Sequence, residues 1–118
     1  MPLDNPPSLP TQESWSAPTL LNGWANYGAP LNPAGYWRDS FGVVHLRGVV
    51  ANGAAGTNLF VLPTGYRPTN RELICTISGG SGNIATLARV DILSTGEIQH
   101  MSGGVQFLSL DGLTFRAV

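Results

Sequence analysis

The chain has 118 residues, 42% of them hydrophobic, enough for one domain that buries roughly two-thirds of the surface its unfolded form exposes. Only 11% of residues are charged and the net charge is −1, which speaks against a basic nucleic-acid footprint and against an acidic tail. All six cations are arginines, so the flexible ammonium groups that keep a surface wet are missing, and part of the surface is expected to meet protein through guanidinium forks.

Residues 1–18 hold Pro2, Pro6, Pro7, Pro10 and Pro18 among polar side chains, so this stretch is predicted to be an extended arm outside any helix or central strand. Met1 to Pro10 lacks the basic start and apolar run of a signal peptide, and no stretch approaches the ~20 apolar residues of a membrane span. Synthesis in the cytoplasm, with no membrane partner, is the expectation. After Pro18, short apolar runs alternate with glycine, proline and asparagine at intervals of roughly 8–12 residues, the punctuation of a sandwich or barrel.

The strands predicted in chain order are 20–27, 35–39, 43–50, 58–62, 73–78, 84–93, 98–101, 105–110 and 113–117. Within 43–50, Val44, Leu46 and Val50 share one face, while Val43, His45, Arg47 and Val49 make a mixed face that needs a cover. Leu73, Cys75 and Ile77 share a face, which makes Cys75 a buried small hydrophobe in this reading. Ala88, Val90 and Ile92 oppose Leu87, Arg89, Asp91 and Leu93, so this strand too is apolar on both sides. Residues 79–83 form a Gly-rich hairpin loop, and no lysine follows it as a phosphate loop would require. Ser94-Thr95-Gly96-Glu97 is a tight reversal, and Leu110-Asp111-Gly112-Leu113 carries the Asp-Gly signal of a hairpin between the last two strands. Pairing of 20–27 with 113–117 would close the sheet in a jelly-roll-like way. The fold class read from this pattern is an all-β antiparallel sandwich, 19–118, preceded by the arm, 1–18.

Chemistry has few carriers. His45, His100 and Cys75 stand in no recognisable nucleophile-base motif, and both histidines are assigned structural or interface roles. Paired carboxylates would have to come from Asp39, Glu72, Asp91, Glu97 and Asp111, with Asp4 and Glu13 on the arm; Asp39 and Asp111 serve turns and Glu97 opens a strand. That leaves Asp91 beside Arg89 as an ion pair. Two histidines and one cysteine fall short of a zinc site, and no Asp-rich loop suits calcium, so neither metal nor cofactor is expected. Trp37 and Tyr66 are candidates for stacking on a sugar ring. His45, Arg47, Arg67, Arg89 and Asp91 complete the set of interface or ligand candidates, with Arg67 displayed by the rigid turns Pro63-Thr64-Gly65 and Tyr66-Arg67-Pro68.

Four stretches, Leu21-Asn22-Gly23-Trp24-Ala25-Asn26-Tyr27-Gly28, Gly42-Val43-Val44-His45-Leu46-Arg47-Gly48, Leu62-Pro63-Thr64-Gly65-Tyr66-Arg67-Pro68 and Leu108-Ser109-Leu110-Asp111-Gly112-Leu113-Thr114-Phe115, resemble a small β-domain. That domain is found at the C-terminal tips of bacteriophage tail-fibre and receptor-binding proteins and in related virion decoration proteins. The resemblance implies a homotrimer, no catalysis, no cofactor, and a place on the virion surface. Because no shaft precedes the domain, the function expected is that of a capsid decoration, or cement, protein. In that role the arm would dock on the shell, with the major capsid protein as partner. The alternative is a fibre tip that recognises host surface carbohydrate.

Overall fold

The computed structural model describes residues 9–80, 82 and 84–117. Within them the chain forms β1 (Ala25–Asn26), β2 (Gly35–Arg38), β3 (Val43–Arg47), β4 (Val49–Ala51), β5 (Asn58–Val61), β6 (Glu72–Gly79), β7 (Ala85–Ile92), β8 (Glu97–Ser102), β9 (Phe107–Ser109) and β10 (Thr114–Arg116). The domain is all-β. A seven-stranded sheet in the order β1-β4-β9-β6-β7-β8-β5 and a three-stranded sheet in the order β10-β3-β2, both antiparallel, make a curled, open half-barrel. The curl brings the free edge of β5 to the segment that leads into β1, where the Leu21 N–H donates to the Leu59 carbonyl at 2.8 Å.

Strands β6, β7 and β8 are consecutive neighbours, and β9 returns to lie beside β6, the Greek-key order. The return crosses the β6–β7 hairpin, and buried polar groups hold it there. Ser78 Oγ accepts the Gly104 N–H at 2.9 Å, and His100 Nε2 lies 3.0 Å from the Gly103 carbonyl and 3.2 Å from that of Gly104. The core fills the concave side with Trp24, Val44, Leu46, Val50, Leu59, Phe60, Leu62, Val90, Ile92, Ile98, Leu108, Leu110 and Phe115. A bulge between Asn58 and Phe60 lets the adjacent Leu59 and Phe60 both point inward, against the alternation of a regular strand.

The two sheets share one run of chain. The strand predicted over 43–50 is broken at Gly48, which joins β3 in the small sheet to β4 in the large one. Gly48 has φ +110°, and a Cβ there would fall 2.5 Å from the Ala34 backbone. Only glycine can make this corner. Its N–H, freed from either ladder, donates to Asp111 Oδ1 at 2.7 Å.

That bond changes the reading of the last turn. Leu110 to Leu113 does reverse, with the Leu113 N–H on the Leu110 carbonyl. The strands it joins, however, belong to different sheets, and Asp111 spends its carboxylate on Gly48 instead of on its own turn. Strand 20–27 shrinks to Ala25–Asn26, because Asn22 and Gly23 take positive φ values of 56° and 83° and turn the chain. The expected pairing of 20–27 with 113–117 is not made: β1 pairs with β4 and β10 with β3. Of the Gly79–Asn83 loop expected between β6 and β7, positions 81 and 83 lie outside the described residues.

Replacing Gly48 by alanine adds a clash with the Ala34 backbone to the cost of positive φ, and is expected to lower stability by about 3 kcal/mol or more. The same change at Gly112, which also has positive φ but open space where the Cβ would stand, is expected to cost about 1–2 kcal/mol. Urea denaturation of the two variants checks the difference.

Candidate interaction surfaces

The outward face of the small sheet carries a continuous ladder of side chains. Asp39, at the end of β2, accepts the N–H groups of Phe41 and Val43 through Oδ1 and so builds the β2–β3 turn. Its Oδ2 takes a bond from His45 Nε2 at 2.8 Å, which fixes the His45 proton on Nε2. That bond above all, then those from Val43 and Phe41, outweighs partial burial and holds the Asp39 carboxyl below the ordinary carboxylate range. Trp37 stands directly across from His45 in the β2–β3 register and stacks on it, centroids 4.7 Å apart. Trp15 meets Trp37 edge-on at 6.2 Å, and the Arg47 guanidinium lies over the Trp15 ring at 4.4 Å.

Trp15 belongs to the N-terminal segment, which in this part docks on its own domain. Ser16 bridges to Tyr36 and extends the small sheet past β2. Glu13 accepts the Arg38 N–H at 2.8 Å and the Tyr66 hydroxyl at 2.8–2.9 Å, and Gln12 exchanges bonds with Ser40. The bond to Glu13, then burial, raises the Tyr66 phenol above its ordinary value, since ionising it would place an anion beside a carboxylate. The mixed face of 43–50 therefore finds its cover within the chain: Trp15 and Trp37 over β3, and residues 27–34 over Val49. The Val49 N–H donates to the Asn32 carbonyl there, and Tyr27 and Leu31 line a hollow with Val49. The remainder of the arm, 1–8, lies outside the described residues.

The outward face of the large sheet is of another kind. Leu73, Cys75 and Ile77 on β6 do share a face, but it is the solvent face. Leu73 is 61% exposed, Ile77 48%, and Leu87, opposite Ile77 on β7, 79%. Cys75 is exposed with them, contrary to the buried position expected. The inner positions of β6 are Glu72, Ile74, Thr76 and Ser78. Apolar alternation marks two faces of a strand without saying which one the core takes, and here the Val90 and Ile92 side of β7 decides it.

Asp91 lies on this outward face, next to Leu73 across the β6–β7 ladder, yet it is fully buried. Two guanidinium groups lie across it. Arg89 donates from Nε to Oδ1 and from Nη2 to Oδ2, each at 2.9 Å, and Arg71 donates from Nε to Oδ2 at 2.7 Å. Arg71 also reaches Gln99 Oε1 at 3.3 Å. The pair read from sequence as Arg89–Asp91 is thus a triad. Burial works to raise the Asp91 pKa, but the bonds from Arg89 and Arg71 prevail and hold it below the ordinary range.

The remaining candidates are structural. Arg67 is folded back, its Nε on the Leu62 carbonyl at 2.8 Å, and is not displayed by the double turn. Tyr66 packs edge-on against Tyr36 with its hydroxyl taken by Glu13, which leaves Trp37 as the exposed-side aromatic of the pair expected to stack on sugar. His100 is buried, accepts the Gly56 N–H on Nδ1 at 3.1 Å and therefore carries its proton on Nε2, toward the crossing carbonyls. No group of three or more His, Cys, Asp or Glu suited to a metal occurs among the described residues. Sequence reasoning missed Trp15, Glu13 and Arg71. A tryptophan inside a polar, proline-rich arm was a usable signal of docking, whereas nothing local ties Arg71 to Asp91 twenty positions on.

No family model, no curated protein and no solved structure matches the chain.

Three outcomes are expected. Because the Asp91 pKa in the folded protein lies below its ordinary value of 3.8, its contribution is complete above that value and is lost as pH falls through the lower folded-state value. Asp91→Asn should accordingly flatten the fall of the urea midpoint as the pH drops below about 4, and Arg89→Met should destabilise at neutral pH by weakening the cover of a buried carboxylate. His100→Ala strips partners from Gly56, Gly103 and Gly104 together and is expected to cost about 2–4 kcal/mol, read by thermal unfolding.

Proposed function

We propose that the protein is a non-enzymatic structural protein of a phage virion, a homotrimeric capsid decoration protein of jelly-roll-like type that binds the major capsid protein. The observation that carries this reading is the β6–β7 face. Leu73, Cys75, Ile77 and Leu87 stand side by side in the ladder with Met101 on β8 nearby, all exposed in the single chain. A contiguous apolar surface of this sort is costly to leave wet and marks a place where protein meets protein. Copies of the chain packed through it would bury these residues. The sequence resemblance to virion β-domains supports the viral context, and in this reading residues 1–11, ahead of the stretch that contacts Ser40 and β2, reach a neighbouring capsomer.

A fibre-tip reading is favoured by a separate observation, the aromatic and guanidinium ladder of Trp37, Trp15 and Arg47, which suits a host glycan.

Sedimentation equilibrium of the full chain is expected to give a trimer that Leu87→Glu converts to a folded monomer. A monomeric parent would reject the assembly. Shell incorporation should then be lost on deletion of residues 1–11, and armless protein that still binds host cells would speak for the tip.

A further inference from the structure

We infer that Arg47 and Trp15 form a binding site for the carboxylate of an acidic saccharide. The ion pairs among the described residues are Asp39–His45, Arg71–Asp91 and Arg89–Asp91, so Arg47 has no carboxylate there. Its Nε is buried without any hydrogen-bond partner. A buried guanidinium N–H left in this state is unusual, because an unpaired buried donor costs free energy that a partner would recover.

The group is also held in place. The Trp15 ring lies against the guanidinium at 4.4 Å. Gly35, paired with Arg47 across the ladder, lies close beside both groups: a Cβ there would stand 3.4 Å from Arg47 Nε and 3.3 Å from Trp15 Cε3. Arg47, Trp15 and Gly35 line a cavity of about 110 Å³ together with Asn26 and Pro33. Asn26 Oδ1 accepts the Ala34 N–H at 2.8 Å, which orients the amide and leaves its NH₂ as a further donor. Among the described residues, no acidic side chain lines the cavity.

A pre-oriented planar fork and an amide donor, with no carboxylate of the described residues beside them, select an anion, and the fork matches a carboxylate in a bidentate way. The cavity is large enough for a carboxylate and too small to enclose a whole sugar. The ring would therefore remain outside, against Trp15, which is 38% exposed. Indole faces suit the C–H face of a pyranose. The site lies within one chain, so it stands or falls independently of trimerisation and of the virion.

The test uses the full chain titrated with sodium glucuronate, glucose, acetate and N-acetylglutamate, followed by the tryptophan indole N–H signals in NMR spectra. Saturable shifts with glucuronate are expected, weaker by about tenfold or more for glucose, with acetate and N-acetylglutamate also weaker than glucuronate. Arg47→Gln, which keeps most of the stem, should weaken glucuronate by about tenfold or more, and Arg47→Lys should recover only part of it, because a point charge lacks the fork. Trp15→Ala should weaken glucuronate more than acetate, and Arg116→Ala, on the same sheet, should leave binding unchanged. Thermal midpoints confirm that each variant is folded. No saturable shift with glucuronate, glucose binding as tightly, N-acetylglutamate binding more tightly, or a folded Arg47→Gln protein that binds normally would each overturn the assignment.

Discussion

The corner at Gly48 is the constraint on which the rest of the architecture depends. One run of chain from Val43 to Ala51 serves both sheets, and it can do so only because a residue without a side chain lets the backbone take φ +110° hard against Ala34. The N–H that the corner removes from the ladders is then met by Asp111, sixty-three positions later. A buried or half-buried amide without a partner would oppose the bend. The last turn of the chain is thereby tied to the middle of it, and β10 is placed beside β3.

Two outward faces follow from that corner, and they differ in how they are finished. Over β2 and β3 the chain covers itself: residues 12–16 lie down on the edge of β2, and Trp15, Trp37, His45 and Arg47 interlock through stacking and cation–π contact. Over β6 and β7 it leaves leucine, isoleucine and cysteine in solvent, with one carboxylate sealed beneath two arginines. The triad is a way of keeping a charge on an apolar face without exposing it, since each guanidinium stays half in water while the carboxylate gives up its hydration for their hydrogen bonds.

The absence of lysine fits both faces. Arg47 on Trp15, and Arg71 and Arg89 on Asp91, each use the plane or the fork of the guanidinium. An ammonium in the same places would supply charge without that geometry.

Much of the fold was legible in the residues themselves. Period-two patterning located 58–62, 73–78, 84–93 and 98–101 to within a residue or two of β5 to β8, because alternation and turn chemistry are local properties of the chain. The salt bridge of Arg89 and Asp91, two positions apart on one strand face, was legible for the same reason. What tertiary structure alone decided was direction and partnership: that Leu73, Cys75 and Ile77 face out, that the run over 43–50 splits between sheets, that Asp111 serves Gly48, and that Arg71 joins Asp91. These depend on which distant strand reaches a surface first, and a pattern with two apolar faces leaves that choice to the packing of the whole.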